Sequence, residues 1–493
     1  MTRLAASAVL LSAACASGGS PAGSGAPAPD AAAAEALAPG RTRTPLAHDW
    51  PHPRALDFPA TSFRPPDPGG AEFVAPAGLH AFILPDPSDP VVLVTAVIPA
   101  GRLAEQAGEA GAGDVVARLL AQEVAAQLGA DVIARVESEQ EPDLARVTVQ
   151  VRPQDGPLAL AAVVRALRGT PERAVAAGDA RTGAGYANPT RGVGGPAFRP
   201  AVELARRLAS YPLAPPEPGR VIPAGAVRAV AQRSLVPGRV AIGVAGAIDR
   251  AATEASLREL TAGWSGPAPT ASTPAPSTSG PAAAERLVTI EGPGLTTWLA
   301  LGHVVPAIAP ADQAAMAVLG EILNIRLNIA TREMRGLTNR ALLEYPAPGH
   351  GAGLLHVRSG GRPESVAPLL VYALEELTHI REPAGAPTVD ELAQAQGGLA
   401  LGAWQGSLDG ARRTAATWAT ETVRHGSLDR LLGWPEAVRA VTAVDVQRVA
   451  RQVIDPARLC AVVIGRIDEV ERARHPRWPF TLDDVRARLR AAR

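Results

Sequence analysis

The chain carries one segment twice. Residues 224–249 (AGAVRAVAQRSLVPGRVAIGVAGAID) and residues 443–468 (AVDVQRVARQVIDPARLCAVVIGRID) align without a gap at a constant offset, 456 − 237 = 219. Pro237, Arg239, Gly246, Ile248 and Asp249 meet Pro456, Arg458, Gly465, Ile467 and Asp468. Val227, Val230 and Ala231 meet Val446, Val449 and Ala450 at the same offset. Each copy reads as a helix, a Pro-marked turn, a continuous apolar strand and a Gly-Xaa-Ile-Asp exit. A duplicated supersecondary unit of this length restricts the chain to two related halves.

The fronts of the halves correspond as well. Residues 91–98 are predicted as a strand running into Gly101 and then a helix. Residues 296–305 are predicted as a strand running into Pro306, followed by a helix over 312–323. Ahead of the first strand, residues 72–85 predict a hairpin turning at Ala77-Gly78. The expected fold class is α+β: two tandem homologous domains, each a mostly antiparallel sheet with helices on one face. Their expected bounds are 61–264 and 286–470. A Pro/Ser/Ala linker over 265–285 divides them, and a helical tail over 471–493 follows. The tail has a Thr cap, Asp483 and Asp484 early and arginines late, which reads as a dipole-matched surface helix and a docking segment.

Charge removes one class of function: 48 basic residues, all arginine, balance 48 acidic ones, so nothing points to nucleic acid. No apolar run reads as long enough to span a membrane. At the start, a basic Met1-Thr2-Arg3, an apolar run over 4–14 and small residues before Cys15 predict a lipoprotein-type signal peptide over 1–15. Cys15 is then the expected lipidation site, anchoring an exported chain to a membrane. Residues 16–60, rich in Ala, Gly, Pro and Ser, are expected to be a disordered tether. Cys460 lies in an apolar run and reads as a buried, inert thiol.

The opening helix of the first half carries Val115, Val116, Leu119, Leu120 and Val124 at helical spacing. Asp114 and Arg118 sit one turn apart on another face, spaced to pair. A helix that holds zinc for peptide hydrolysis needs two histidines and a glutamate within one turn. Here those places hold Asp114, Ala117 and Arg118. None of the nine histidines has a second His or Cys at ligand spacing; His350 and His356 flank a Gly-rich turn with no carboxylate alongside in sequence. Trp404 and Trp418 are fourteen apart on a helix predicted over 391–424 and share a face; Trp298 is expected in the core, with a groove-lining anchor as the other reading.

Several segments in order carry a resemblance. Arg332-Glu333 is followed by Gly336-Leu337-Thr338. Tyr211-Pro212 precedes the first repeat end, Asp390-Glu391-Leu392 opens a long helix, and residues 441–446 open the last one. Together they resemble the insulinase/pitrilysin-type (inverzincin) zinc peptidases, including the two-domain subunits of the processing peptidases. The resemblance implies two halves closing like a clamshell on an extended peptide, which adds as a strand to a sheet edge. It places an inverted His-Xaa-Xaa-Glu-His motif at Asp114, Ala117 and Arg118. It puts a distal ligand within 173–202, where Asp179 is the only acid. It also implies substrate contacts from Arg332 and from Asn339, which stands where the family has a tyrosine.

The expected function follows from that implication. The chain reads as a non-catalytic member, the substrate-holding partner of a zinc-bearing paralogous peptidase, itself without a metal or other cofactor. Its place is the bacterial envelope, facing the periplasm. Two other readings stand beside it: a stand-alone peptide-binding scaffold lipoprotein, and an active zinc peptidase with atypical ligands. Asp114 and Arg118 are expected to close the former metal pocket with a salt bridge.

Overall fold

The computed structural model describes residues 63–106, 108–176, 180–181, 196–209, 219–266, 286–345 and 352–492. The expectations for Cys15 and the leader, the tether, the linker beyond residue 266, Asp179, Tyr211-Pro212 and His350 fall outside the described residues.

In the first half, β1 (Glu72–Val74) and β2 (His80–Pro85) form the expected hairpin, and β3 (Val92–Ile98) leads to helix α1 (Ala112–Leu128). Strands β4 (Arg135–Gln140) and β5 (Ala145–Val151) precede α2 (Gly156–Ala176). A two-stranded pair of β6 (Ala180–Arg181) and β7 (Val221–Ile222) brackets α3 (Arg199–Leu208). The first repeat end is α4 (Ala224–Ser234) and β8 (Ala241–Gly246), followed by α5 (Arg250–Leu260). The sheet order is β1-β2-β8-β3-β5-β4, parallel only where β2 meets β8.

The second half contains β9 (Leu287–Glu291), β10 (Thr297–Val305), α6 (Gln313–Asn328), β11 (Leu342–Glu344), β12 (Gly353–Gly361) and α7 (Pro363–His379). Then come α8 (Val389–Gly397), α9 (Ala411–His425), α10 (Ala443–Val453), β13 (Cys460–Gly465) and α11 (Leu482–Ala491). The order β9-β13-β10-β12-β11 repeats β2-β8-β3-β5-β4 strand for strand, with its one parallel pair, β9 with β13, at the same place. The repeat seen in sequence is a repeat of topology.

Strands β8 and β13 are buried at every position. A continuous apolar strand needs cover on both faces, and the chain supplies it by exchange. On one face, Val94, Ala96 and Ile98 pack with α1, α2 and α4, and Leu299, Leu301 and Val305 pack with α6, α7 and α10. On the opposite faces, α9 of the second half lies on β2, β3 and β8, while α3 of the first half lies on β10, β12 and β13. Helices therefore cover two faces of each sheet, not one, and Phe63–Arg493 forms a single compact unit.

The two crossing helices are held differently. Trp418 of α9 meets Phe82 edge-on at 5.7 Å, and the α9 backbone runs so close to β8 that a Cβ on Gly243 would stand 2.6 Å from the Ala415 carbonyl oxygen. Ion pairs fix both ends of α9: Arg412 with Asp89 at 2.7 Å, and Arg424 with Asp143 at 2.6 Å and Glu141 at 2.5 Å. Helix α3 relies on Leu204, Ala205 and Leu208 packed against Ala300, Val304 and Val462.

Three expectations need correction. The helix predicted over 391–424 is interrupted: α8 passes into a π-helical stretch, Gly398–Ala403, and Gly410 at φ 81° separates it from α9. Trp404 and Trp418 still join one cluster, because the break redirects the chain without leaving that surface. The tail does not wait for a partner; Leu482, Val485 and Leu489 of α11 are buried in the second half's own core. Finally, Pro310–Glu333 is long and apolar enough to cross a membrane by composition, but 56% of its most apolar window is buried inside this fold. It is a core helix here.

Candidate functional site

The start of α1 is pressed against the loop that follows β3. A Cβ on Gly113 would lie 2.2 Å from the Ala100 carbonyl oxygen, so only glycine fits. The buried Glu105 carboxylate accepts from the Gly111 N–H at 2.8 Å and the Gly113 N–H at 2.7 Å. It satisfies donors at the positive end of the helix, where an anion is stabilised. Glu109 accepts from Arg233 of α4 and from the Gln106 N–H at 2.7 Å. Both nearby acids are thus engaged in fixing the helix start.

One turn on, Asp114 and Arg118 pair at 3.1 Å, with side chains partly exposed. This is the salt bridge expected from the sequence. Ala117, where the resemblance would put the glutamate, is buried in the first core. An ion pair and a methyl group offer no ligand set. Among the described residues, no group of three or more His, Cys, Asp or Glu side chains is arranged to hold a metal ion.

Beside α1 runs β4, the outer strand of its sheet, paired among the described residues only with β5 and largely exposed. The equivalent outer strand of the second half, β11, is treated differently. The Asn324 amide accepts from the Leu343 N–H at 2.7 Å and donates to the Leu343 carbonyl at 3.2 Å. Asn328 does the same for Ala341, at 3.2 and 2.8 Å. Side-chain amides of α6 thus occupy backbone groups at that edge.

Arg332 lies in a π-helical turn, Ile329–Glu333, that extends α6; its side chain is 57% exposed and faces Glu333 at 3.5 Å. Asn339 lines a cleft of about 690 Å³, together with Trp298, Thr338, Arg340, Arg362 and Ser365. Arg332 is not among its lining residues. Thr338 holds the cleft loop in place: its hydroxyl donates to the Gly360 carbonyl at 2.7 Å and accepts from the Arg340 N–H at 3.2 Å. Trp298, expected in the core, is instead half-buried on the cleft wall. Its ring lies so close to Gly360 that a Cβ there would stand 2.4 Å from it.

His356 does have a carboxylate alongside. Its Nε2 lies 3.2 Å from Glu344, which also receives Arg358 at 3.0 and 2.8 Å. Burial pushes the Glu344 carboxyl up, but hydrogen bonds from His356 and Arg358 outweigh it and hold the pKa at about 2. The sequence reading missed this because the partner strand, β11, is only three residues long.

Comparisons with known proteins fit this geometry. A family model described as the peptidase M16 inactive domain matches residues 222–399. A solved M16-like peptidase from Alicyclobacillus acidocaldarius shares the fold with TM-score 0.64 at 14% identity, covering 83% of this chain and 99% of that one. A peptidase M16 inactive domain from Pseudomonas fluorescens matches with TM-score 0.61 at 18% identity, covering 82% and 98%. A chain of Complex III2 from Candida albicans matches with TM-score 0.62 at 12% identity, covering 85% and 99%. No curated protein sequence matches.

Proposed function

We propose that this chain, which belongs to the insulinase-type (M16) peptidase family, is a non-catalytic subunit that holds extended peptides for a zinc-bearing paralogue. One observation supports the reading: α1, on which the resemblance would put the zinc ligands, carries the Asp114–Arg118 ion pair and a buried Ala117 and lies beside a sheet edge that no described residue covers with a strand. A free strand edge recognises peptide backbone of any sequence, so holding survives the loss of cutting. The likeness to a chain of a multi-subunit assembly, Complex III2, supports a role beside a partner. Lipid on Cys15 would keep the chain at the bacterial envelope membrane, facing the periplasm.

The test is co-purification of the tagged full chain from its native host. A homologue with an intact His-Xaa-Xaa-Glu-His motif, recovered in equal amount and bearing zinc, is the expected result. Recovery of the chain alone, still binding peptides, would replace the subunit with a stand-alone scaffold.

A further inference from the structure

We infer that the cleft around Asn339 is a carboxylate-binding subsite for the held peptide, built by Arg340, Arg362, Ser365 and the N-terminus of α7. This deepens the peptide-holding reading and rests on it. Helix α7 is 17 residues long, and its N-cap residue, Arg362, makes no side-chain capping bond. The first turn lines the cleft, so the positive end of the helix faces it. Ser365 is only 5% exposed as a residue and lines the cavity, and its hydroxyl makes no hydrogen bond to another described side chain or carbonyl, so it is open to the water of the cleft. A hydroxyl that faces a cavity from an otherwise buried residue can exchange its water for a bound anion, to which it donates.

Two guanidinium groups join it. Arg340 and Arg362 are exposed residues that line the cleft and pair with no carboxylate among the described residues. Arg358, also on the wall, is already committed to Glu344 and stacks over Phe198 at 4.1 Å. The single acid of the lining, Glu364, opposes a dianion more than a monoanion. The Trp298 ring on the wall and Leu295, 79% exposed next to the lining residue Thr296, offer apolar contact to whatever carries the charge. A carboxylate on a peptide with apolar neighbours fits all of these. It can come from the peptide's C-terminus or from an acidic side chain.

The probe is one fluorescein-labelled decapeptide of Ser, Thr, Val and Ala, prepared as the free acid, as the C-terminal amide, and as the amide with one internal Glu. Anisotropy is read with the full chain. Charge-assisted hydrogen bonds predict that a carboxylate form binds about 10- to 100-fold tighter than the plain amide. The free acid gaining alone identifies the C-terminus; the internal Glu gaining identifies the side chain. Arg340→Gln and Arg362→Gln, both at exposed positions, should each remove most of that gain while leaving the melting temperature unchanged. Ser365→Ala should remove a smaller part. Equal binding of all three forms, insensitive to these variants, would overturn the subsite and leave peptide holding intact. No binding of any form would overturn both.

Discussion

At the outer edge of the first sheet, β4 is paired on one side only among the described residues and lies exposed along α1. At the equivalent edge of the second sheet, Asn324 and Asn328 clasp the backbone of Leu343 and Ala341. One ancestral strand order has thus been finished in two ways. Unpaired edges invite other strands, and proteins normally blunt them. The edge left uncapped, among the described residues, is the one that runs beside α1. The difference teaches that two copies of one strand order need not finish their outer edges alike: among the described residues, side-chain amides cap only the second.

The crossing helices differ in the same spirit, and the largest expected effect lies there. Trp418→Ala empties a fully buried site on α9 and should cost about 3–5 kcal/mol by chemical denaturation. Both sheets should unfold together, since α9 belongs to one half and covers the other; separate transitions would break the picture of a single unit. Arg424→Ala leaves Glu141 and Asp143 without their shared cation and should cost about 2–3 kcal/mol, somewhat less than a fully buried pair because the side chain is still partly exposed. Asn324→Ala should cost about 1–2 kcal/mol, because backbone groups of Leu343 lose their partners. It should also raise the tendency to self-associate, seen by light scattering. An unchanged scattering signal would show that β11 is closed by something other than the amide.

Acid separates the halves further. Glu344 has a folded pKa of about 2, below its ordinary value of 4.5. Its contribution is therefore fully present above about pH 4.5 and is lost as pH falls toward 2. Glu344→Gln should flatten the fall in urea midpoint between pH 5 and pH 3. Glu421 on α9 runs the other way: burial raises its pKa, and one carboxylate oxygen has no hydrogen bond. It is less costly protonated, so it should leave the first sheet's cover less acid-sensitive than the second sheet's edge. The smallest effect belongs to Asp114→Ala, at about 0.5 kcal/mol or less, since an i, i+4 pair near the surface contributes little.

Much of this was legible in the sequence. The doubled helix–turn–strand segment, the hairpin at residues 72–85 and the Asp114–Arg118 pair all stand where spacing put them, because local periodicity decides such elements. What stayed hidden is what depends on distant segments meeting. The unbroken apolar character of β8 and β13 was legible, but helices were expected on one face only, and nothing in the chain said that α9 and α3 cover the other across the halves. The break at Gly410 was masked by apolar spacing that continues on either side. In the cleft, Trp298, Asn339, Arg340, Arg362 and Ser365 come from three separated segments, and no motif joins them. His356 and Glu344 are brought together by a strand too short to predict.

The central claim is that this chain holds peptides without cutting them. The most direct measurement incubates the full chain alone, loaded with excess zinc and then desalted, with a mixture of unstructured peptides, with and without EDTA, and reads products by mass spectrometry. The account predicts intact peptides under both conditions. Fragments that form without EDTA and vanish with it would contradict it.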